Sequence, residues 1–260
     1  MTETLHAGAL IRRDGTGVHA TTPWGSRTSP LMGSDLDLTC LAWALLDHVG
    51  PTELREIPAE VDSNDLGGLQ VRISNKASLS LHIHPHHVSL SEHAAVETQD
   101  PEFERLGQSH LDLVSIHGRW EAELDPTNVS QGAYVSEASI EAGRPARTAL
   151  HAQRMDGGWV WPPRADGGLT FEPMRAQATV LSWTRLSGGG APSEFALRAD
   201  LLGGIRTVLV QFDEGPRGVF LVADEIDVNP HIGLSVGFVL RRIYGQEGRT
   251  IRGLKAHWSP

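Results

Sequence analysis

Apolar residues recur at every second position through the last third of the chain, and this alternation predicts β-strands. The clearest case has Val208, Val210 and Phe212 on one face, as a half-buried strand requires. Residues 213–216, Asp-Glu-Gly-Pro, then predict a tight turn, because glycine accepts a positive φ and proline cannot donate to a strand ladder. The strands predicted in this region are 178–184, 205–212, 218–222 and 232–240.

The first half of the chain combines strand and helix patterns. One apolar stripe predicts an amphipathic helix, with Ser34 or Asp35 as its N-cap and Gly50 at its end. The stripe consists of Leu38, Leu41, Ala42, Leu45, Leu46 and Val49. A hairpin is predicted before the helix at 7–22, and strands are predicted after it at 68–74, 77–90 and 111–123. A hairpin, an amphipathic helix and then long strands predict an α+β domain that is hot-dog-like.

Charged residues are distributed unevenly between the two halves of the chain. Of the 22 basic and 32 acidic residues, residues 151–260 hold 12 and 11, which leaves 10 and 21 for residues 1–150. Such an asymmetric distribution favours two domains. The net charge of −10 makes nucleic acid an unfavourable partner, because phosphate binding needs clustered lysine and arginine.

A single cysteine, Cys40, excludes an internal disulfide framework and fits a reducing compartment. We expect Cys40 to be a small buried or half-buried side chain rather than a nucleophile. The N-terminus lacks a basic segment followed by an apolar one, so no signal peptide is expected. No apolar run approaches the roughly 18 residues that a membrane span needs. These features predict a cytoplasmic protein.

Four short motifs follow one another in the second half of the chain. They are Val-x-Ser-x-Thr at 180–184, Glu-Gly-Pro-Arg at 214–217, Ile-Gly-Leu-Ser-Val at 232–236 and Lys-Ala-His-Trp at 255–258. In this order they resemble the acyl-CoA-associated OB-fold proteins that accompany thiolases and hydroxymethylglutaryl-CoA synthase-like enzymes. The resemblance covers about residues 130–260 and implies a C-terminal OB-fold barrel, in a chain that is mainly β and α+β overall.

In that family the barrel is preceded by a helix and a rubredoxin-like zinc ribbon with two Cys-x-x-Cys knuckles. Residues 132–135 and 153–164 resemble this lead-in, but they contain no cysteine. Because structural zinc needs four thiolate or imidazole ligands, we expect a degenerate, metal-free ribbon in which aromatic packing of residues 159–164 keeps the shape. The domains expected are an N-terminal α+β domain at 1–125, a linker and lead-in helix at 126–150, the degenerate ribbon at 151–175 and the OB-fold domain at 176–260.

The resemblance implies a non-catalytic accessory subunit of a thiolase-superfamily acyl-CoA-processing complex. Such a subunit docks on a thiolase-family or ketosynthase-like catalytic subunit in a hetero-oligomer and helps to hold the acyl-CoA. We expect a coenzyme A thioester as ligand, no tightly bound cofactor and no zinc. The candidate ligand- or partner-binding residues are Trp183, Arg185, Arg217, Arg241, Arg242, Arg252 and Lys255, since arginine offers paired donors to phosphate and acidic groups. A solvated barrel surface is the other interpretation of these cations.

Two other functions stay open. An acyl-CoA hydratase or thioesterase carried by the N-terminal domain would draw on Asp47, His48 or Glu92. An OB-fold can also bind single-stranded nucleic acid through aromatic side chains over a basic groove, and Trp183 and Tyr244 are the candidates for that function. The acidity of the chain disfavours the second of these alternatives.

Histidines are concentrated in one region, with seven of the 13 between positions 82 and 117. His82 and His84 occur at the i, i+2 spacing of metal ligands on a strand, and His87 follows them, which defines an alternative metal site. The other interpretation is a strand whose polar face carries imidazoles. Since imidazoles titrate near neutral pH, that face would be a pH-sensitive contact surface.

Overall fold

Antiparallel strands make up most of the regular structure, so the expected fold class, mainly β and α+β overall, is confirmed. The structure is a computed structural model that describes residues 2–24, 34–92, 103–104, 106, 111–125, 136–155, 157–163 and 170–258. No helix within these ranges is long and apolar enough to cross a membrane. The internal contacts divide the chain into two units, Met1–Val114 and Ser115–Pro260.

The first unit is built on a five-stranded antiparallel sheet. Its elements are β1 (Thr2–His6), β2 (Ala9–Arg13), β3 (Val18–Thr21), α1 (Leu38–Val49), β4 (Thr52–Leu54), β5 (Val71–Ile73), β6 (Ser80–Ile83) and β7 (Val88–Ser91). The sheet order is β1-β2-β3-β7-β6, and β4 and β5 form a separate parallel pair. The hairpin predicted at 7–22 is β2 and β3, whereas β1 was not predicted.

Helix α1 packs on β2, β3 and β7. Its N-cap is Asp37 rather than Ser34 or Asp35, because the Asp37 carboxylate accepts a hydrogen bond from the Cys40 amide at 3.0 Å. The helix ends before Gly50, as predicted, and the φ of 83° at Gly50 favours glycine.

The buried surface of α1 is wider than the predicted apolar stripe. Of the stripe, the four central residues are buried, and its two ends, Leu38 and Val49, are half-buried. Trp43 and Ala44 are buried as well, and Cys40 is fully buried, as expected. A buried helix against an antiparallel sheet is an α+β arrangement. The hot-dog-like assignment stays a prediction.

The long strand predicted at 77–90 is wrong. Its residues form two strands, β6 and β7, joined by a turn in which the His84 amide donates to the carbonyl of His87 at 3.0 Å. Pro85 lies in this turn, and proline cannot donate to a central ladder. The turn allows β6 to pair antiparallel with β7.

The strand predicted at 111–123 is also wrong, because these residues form helix α2 (Leu113–Leu124). Its buried residues are Ile116, Trp120 and Glu123, and their i, i+4, i+7 spacing is helical. Most of α2 lies in the second unit, whereas the sequence boundaries had placed these residues in the first domain.

Short elements lead from α2 to the second sheet. They are α3 (Glu137–Ala142), α4 (Arg144–Ala149), β8 (His151–Met155), β9 (Gly158–Val160) and β10 (Phe171–Pro173). The strands form a small antiparallel sheet of order β10-β8-β9. Residues 132–135, Asp156 and Arg164 of the expected lead-in lie outside the described residues. This small sheet occupies the position at which a degenerate ribbon was expected.

The second unit contains another five-stranded antiparallel sheet. Its strands are β11 (Gln177–Leu186), β12 (Ile205–Phe212), β13 (Arg217–Leu221), β14 (Ser235–Gln246) and β15 (Arg249–His257), and helix α5 (Ser193–Ala199) follows β11. The order is β13-β12-β11-β14-β15. Val208, Val210 and Phe212 are buried on one face, which confirms the period-two prediction.

The two edge strands of this sheet, β13 and β15, approach each other at one point. Val222 and Ala256 form a parallel bridge, and the Ala223 amide donates to the carbonyl of Ala256 at 3.0 Å. Five antiparallel strands whose edges meet in this way form the partly open barrel of an OB-fold. No sheet of the described residues is closed by a continuous ladder. The opening between β13 and β15 positions the candidate site.

Candidate functional site

An apolar groove of about 790 Å³ lies at the opening of the barrel. Strand β13 lines it with Val219, Phe220 and Leu221, while β14 and β15 line it with Ile243 and Leu254. The β13 residues and Leu254 come from the two edge strands of the sheet, and Ile243 comes from β14 beside β15, so the groove lies next to the opening of the barrel. Cavities of a few hundred to about 1,000 Å³ hold organic ligands.

Segments that precede the barrel complete the groove. Helices α3 and α4 contribute Ser139, Ala142, Gly143, Ala146 and Arg147. The remaining lining residues are Trp161, Pro162, Pro163, Phe171, Phe195 and Thr207. Most of these side chains are apolar, and only a few offer polar atoms. The arrangement therefore suits a mainly apolar ligand with one or two polar anchor points.

Arg147 is the charged side chain of the groove. Its Nε donates to the backbone carbonyl of Arg252 at 2.7 Å, and its Nη1 donates to that of Ile140 at 3.1 Å. A Cβ added at Gly253 would lie 2.5 Å from Arg147 Cγ, so a glycine is needed for this close approach. These contacts fix a guanidinium beside an apolar surface, where it can attract a carbonyl or anionic oxygen.

Aromatic packing attaches the cysteine-free segment to the barrel. The ring of Trp161 is stacked on Phe220 at a centroid distance of 6.1 Å and lies 6.2 Å from Phe212. A Cβ on Gly218 would lie 2.9 Å from Trp161 Nε1, so Gly218 makes room for the indole. Aromatic packing was expected over residues 159–164, and it is present at Trp161.

The seven binding residues predicted from the sequence do not gather in one place. Trp183 and Arg185 are exposed on β11, and Arg217 is exposed at the start of β13, where its Nε donates to Gln211 Oε1 at 2.9 Å. Arg252 meets the groove indirectly, through the carbonyl that accepts from Arg147. Their roles in binding a ligand or partner stay predictions.

Arg241, Arg242 and Lys255 are buried, so the alternative of a solvated barrel surface does not hold for these three. Their role in binding a ligand or partner stays a prediction. Arg241 Nη2 donates to Glu225 Oε1 at 2.5 Å, and Lys255 Nζ donates to Asp224 Oδ1 at 2.9 Å. Buried cations need such partners because desolvation is costly. The two pairs attach the loop after β13 to strands β14 and β15.

A second buried cluster attaches α2 to the barrel. The guanidinium groups of Arg198 and Arg242 lie over the ring of Trp120, at 3.7 and 4.3 Å from its centroid. Glu123 Oε1 accepts from Arg198 Nε at 2.7 Å, and Glu123 Oε2 accepts from the Gly245 amide at 3.1 Å. Burial raises the pKa of Glu123, while the charge and hydrogen bonds of Arg198 oppose that rise.

Sequence reasoning missed the residues that build the groove. Trp161 was noted only as part of a ribbon, and Val219 was noted only as a strand residue. Arg147 carried no local signal, because its position depends on Gly253, which is more than a hundred residues away. An exposed apolar side chain such as Val219, which is 69% exposed, is informative only once its neighbours are known.

The histidines of the first unit stack rather than gather around a common point. His84 and His87 have ring centroids 4.0 Å apart and planes 6° apart, and His84 Nε2 lies 3.0 Å from Ser89 Oγ. In the part of the chain that the structure describes, no group of three His, Cys, Asp or Glu side chains is placed to hold a metal ion. The set His82, His84 and His87 therefore does not form the alternative metal site, and His93 and His110 lie outside the described residues.

The buried imidazole of His87 predicts that the protein loses stability in mild acid. Burial, together with the charges of His84, His19 and His86, lowers the pKa of His87 to about 3. Between this value and the ordinary value of 6.5 the unfolded chain binds the proton and the folded chain does not, so stability falls as the pH falls through that range. From pH 7 to pH 5 we expect a loss of about 2 kcal/mol from this residue.

Urea unfolding at pH 7 and pH 5, followed by circular dichroism, measures this loss. The variant His87→Phe keeps an aromatic ring in the stack and removes the titrating group. It should lose about 2 kcal/mol less than the wild type between the two pH values. Equal losses in both proteins would contradict the assignment to His87.

The catalytic candidates of the first unit lie at the junction of β1 and α1. Asp47 Oδ2 is 2.8 Å from His6 Nε2, and the ring of His48 lies 5.1 Å from that of His6. Burial lowers the pKa of His48, and His6 lowers it further. Glu92 is exposed just after β7. The His6–Asp47 contact, which the sequence did not predict, joins β1 to α1, and this structural role is the one that its geometry supports.

We compared the chain with protein-family models, with curated proteins and with solved structures. No protein-family model matches the chain, and no curated protein matches it. Among solved structures, a chain of the "Ltp2-ChsH2(DUF35) aldolase" matches with 18% sequence identity and a TM-score of 0.33, over 48% of this chain and 98% of that chain. A likeness of that size carries no argument about function.

Proposed function

We propose that this chain is an accessory subunit of a thiolase-superfamily acyl-CoA-processing complex. It docks on a thiolase-family or ketosynthase-like subunit and holds the acyl part of a coenzyme A thioester, while the partner carries out the carbon–carbon bond chemistry. The observation that carries the proposal is the apolar groove at the barrel opening, with Arg147 fixed beside it. Binding an acyl group requires such a surface, and catalysis by this chain does not follow from it.

The positions of the sequence motifs support the same function. The Val-x-Ser-x-Thr motif lies in β11, the Glu-Gly-Pro-Arg motif forms the turn into β13, and the Lys-Ala-His-Trp motif ends β15. These positions on or next to barrel strands are consistent with the resemblance to the acyl-CoA-associated OB-fold proteins and support the proposal. The proposal includes no zinc ribbon, because the segment from 151 to 175 contains no cysteine to supply thiolate ligands.

The exposed rim of the groove supports docking of a partner. Val219 is 69% exposed and Phe171 is 50% exposed, and both line the groove. Exposed apolar side chains around a cavity are typical of surfaces that another molecule covers. A catalytic subunit placed here would close the groove over the bound acyl chain.

Co-purification from the native host tests the proposal. The tagged chain should elute with a thiolase-family or ketosynthase-like protein in a fixed stoichiometry, and that partner should show less carbon–carbon bond activity alone than with the chain added back. A chain that elutes alone, or a partner equally active without it, would contradict the proposal. In that case the first unit, with its Asp47 and His48, becomes the place to look for activity on acyl-CoA.

A further inference from the structure

A smaller cavity lies beside the apolar groove and differs from it in charge. It has a volume of about 20 Å³ and shares Phe195 and Leu221 with the groove. Cationic side chains line it, with one carboxylate among them: Arg198, Arg206, Lys255 and Asp224. A space of this size admits about one water-sized group, so a larger head group would lie at its mouth.

The cationic side chains of this cavity differ in the groups that they contact. Arg198 pairs with Glu123 at 2.7 Å, and Lys255 pairs with Asp224 at 2.9 Å. Arg206 is half-buried, and its Nη1 donates to the backbone carbonyl of Val228 at 3.2 Å. A hydrogen bond to a neutral carbonyl leaves the positive charge of Arg206 less compensated than that of its two neighbours.

A second arginine adds to this charge. Arg185 on β11 is directly opposite Arg206 on β12 in the strand register, and like charges in that position repel each other. A Cβ built on Gly203 would lie 2.6 Å from Arg185 Nη2, and one on Gly204 would lie 2.8 Å from Arg185 Cγ. The side chain of Arg185 therefore lies over Gly204, which lines the small cavity.

The direction of the pKa shift of Arg206 is consistent with a positive charge that is only partly compensated. Burial lowers the pKa of Arg206 and the charge of Arg185 lowers it further, while Asp224 and Asp227 oppose the change. A half-buried arginine beside another arginine is stabilised when an anion lies between them, since both guanidinium groups can donate to it.

We propose that the groove and the small cavity together bind one amphipathic anion, with its apolar body along Val219, Leu221 and Leu254 and its anionic head at Arg206 and Arg185. The two cavities are neighbours, because Phe195 and Leu221 line both of them. This inference deepens the proposed function and rests on it for the ligand's identity as an acyl thioester. A fatty carboxylate and a phosphate-bearing acyl thioester both combine an apolar chain with an anionic group.

Calorimetric binding to the full-length chain tests the inference with four probes: decanoate, decan-1-ol, decanoyl-CoA and coenzyme A. Decanoate should bind roughly ten- to a hundredfold more tightly than decan-1-ol, because it adds a charged hydrogen bond to the same apolar body. Decanoyl-CoA binding more tightly than both decanoate and coenzyme A would identify an acyl thioester as the ligand. Decanoate binding most tightly would identify a free carboxylate.

The variant Arg206→Gln should bind decanoate as weakly as decan-1-ol, and its affinity for decan-1-ol should stay within about twofold of the wild type. Arg175→Gln is the matched control, because Arg175 is exposed in the same unit and donates to Glu214 through its backbone amide. Thermal unfolding of both variants checks that they fold.

Equal affinity of the wild type for decanoate and decan-1-ol overturns the inference, and this comparison needs no variant. An equal effect of Arg206→Gln on both probes overturns the assignment of the head group to Arg206. Neither result bears on co-purification, which uses no small ligand. A chain that captures its partner but does not prefer the anionic probe would keep the proposed function and lose this inference.

Discussion

Replacing Arg198 with methionine should destabilise the protein by about 3–5 kcal/mol, because it leaves the Glu123 carboxylate buried without its cation. The side chains of Arg198 and Glu123 are only 1% and 5% exposed. The change also removes the guanidinium that lies 3.7 Å from the ring centroid of Trp120. Since these residues attach α2 to the barrel, the urea unfolding midpoint of the second unit should fall.

Two further variants separate the buried charge from general damage to the fold. Arg144→Met removes the cation of the Arg144–Glu141 pair, whose glutamate side chain is 46% exposed, and should cost less than about 1 kcal/mol. The double variant Arg198→Met/Glu123→Gln should recover roughly half of the loss, because the carboxylate that Arg198→Met leaves unpaired is then neutral. A double variant as unstable as Arg198→Met alone would show that the unpaired carboxylate is not the cause.

The strands of the barrel could be predicted because their burial pattern is local. In β12 the buried residues Val208, Val210 and Phe212 alternate with less buried ones, and a period of two is visible in any short window. The turn at 213–216 could be predicted for the same reason, since Gly215 adopts a φ of 112°. Helix α1 likewise had a continuous apolar stripe that ended at glycine.

Two strand predictions were wrong, because the residues that indicate the true structure were few or were outweighed by an alternating pattern. In α2 only Ile116, Trp120 and Glu123 are buried. Because glutamate is a polar residue, Glu123 could not be recognised from the sequence as part of a buried helix face. In the run 77–90 the alternating pattern hid a turn, although Pro85 was a signal against one continuous strand. Both errors came from signals that were present in the sequence but were given too little weight: the proline in the run 77–90 and the helical spacing of the buried residues in α2.

The candidate site depended on contacts that no local pattern contains. Arginine and lysine are rarely buried, so nothing indicated that Arg241 and Lys255 would be buried with Glu225 and Asp224 as partners. The groove joins α3, α4, the segment at Trp161 and strands β13 and β15, which are far apart in the sequence. The resemblance to the acyl-CoA-associated proteins predicts an acyl thioester as the ligand and does not predict where it binds.

Filling the groove should weaken acyl binding. Tryptophan at position 219 would occupy space along β13 that an acyl chain needs, and strands accept aromatic side chains well. Excluding three methylene groups, at about 0.8 kcal/mol each, should weaken binding of decanoyl-CoA by roughly fiftyfold. The yield of photolabelling by a decanoyl-CoA that carries a terminal diazirine measures the effect.

Ile232→Trp is the matched control for Val219→Trp. Both positions are exposed apolar residues of the second unit, 72% and 69% respectively, but Ile232 is not among the residues that line the groove. Its labelling yield should equal that of the wild type. A similar fall in both variants would show that the added indole acts through stability or aggregation rather than through the groove.

The most direct measurement is to map the site of that photolabel on the wild-type chain by peptide mass spectrometry. The account predicts labelled peptides from the groove, namely those containing Trp161–Pro163, Arg217–Leu221 or Leu254, with labelling suppressed by an excess of unlabelled decanoyl-CoA. Specific labelling confined to residues 1–114 would contradict it. That result would move acyl binding to the first unit and favour an enzyme of the hydratase or thioesterase type.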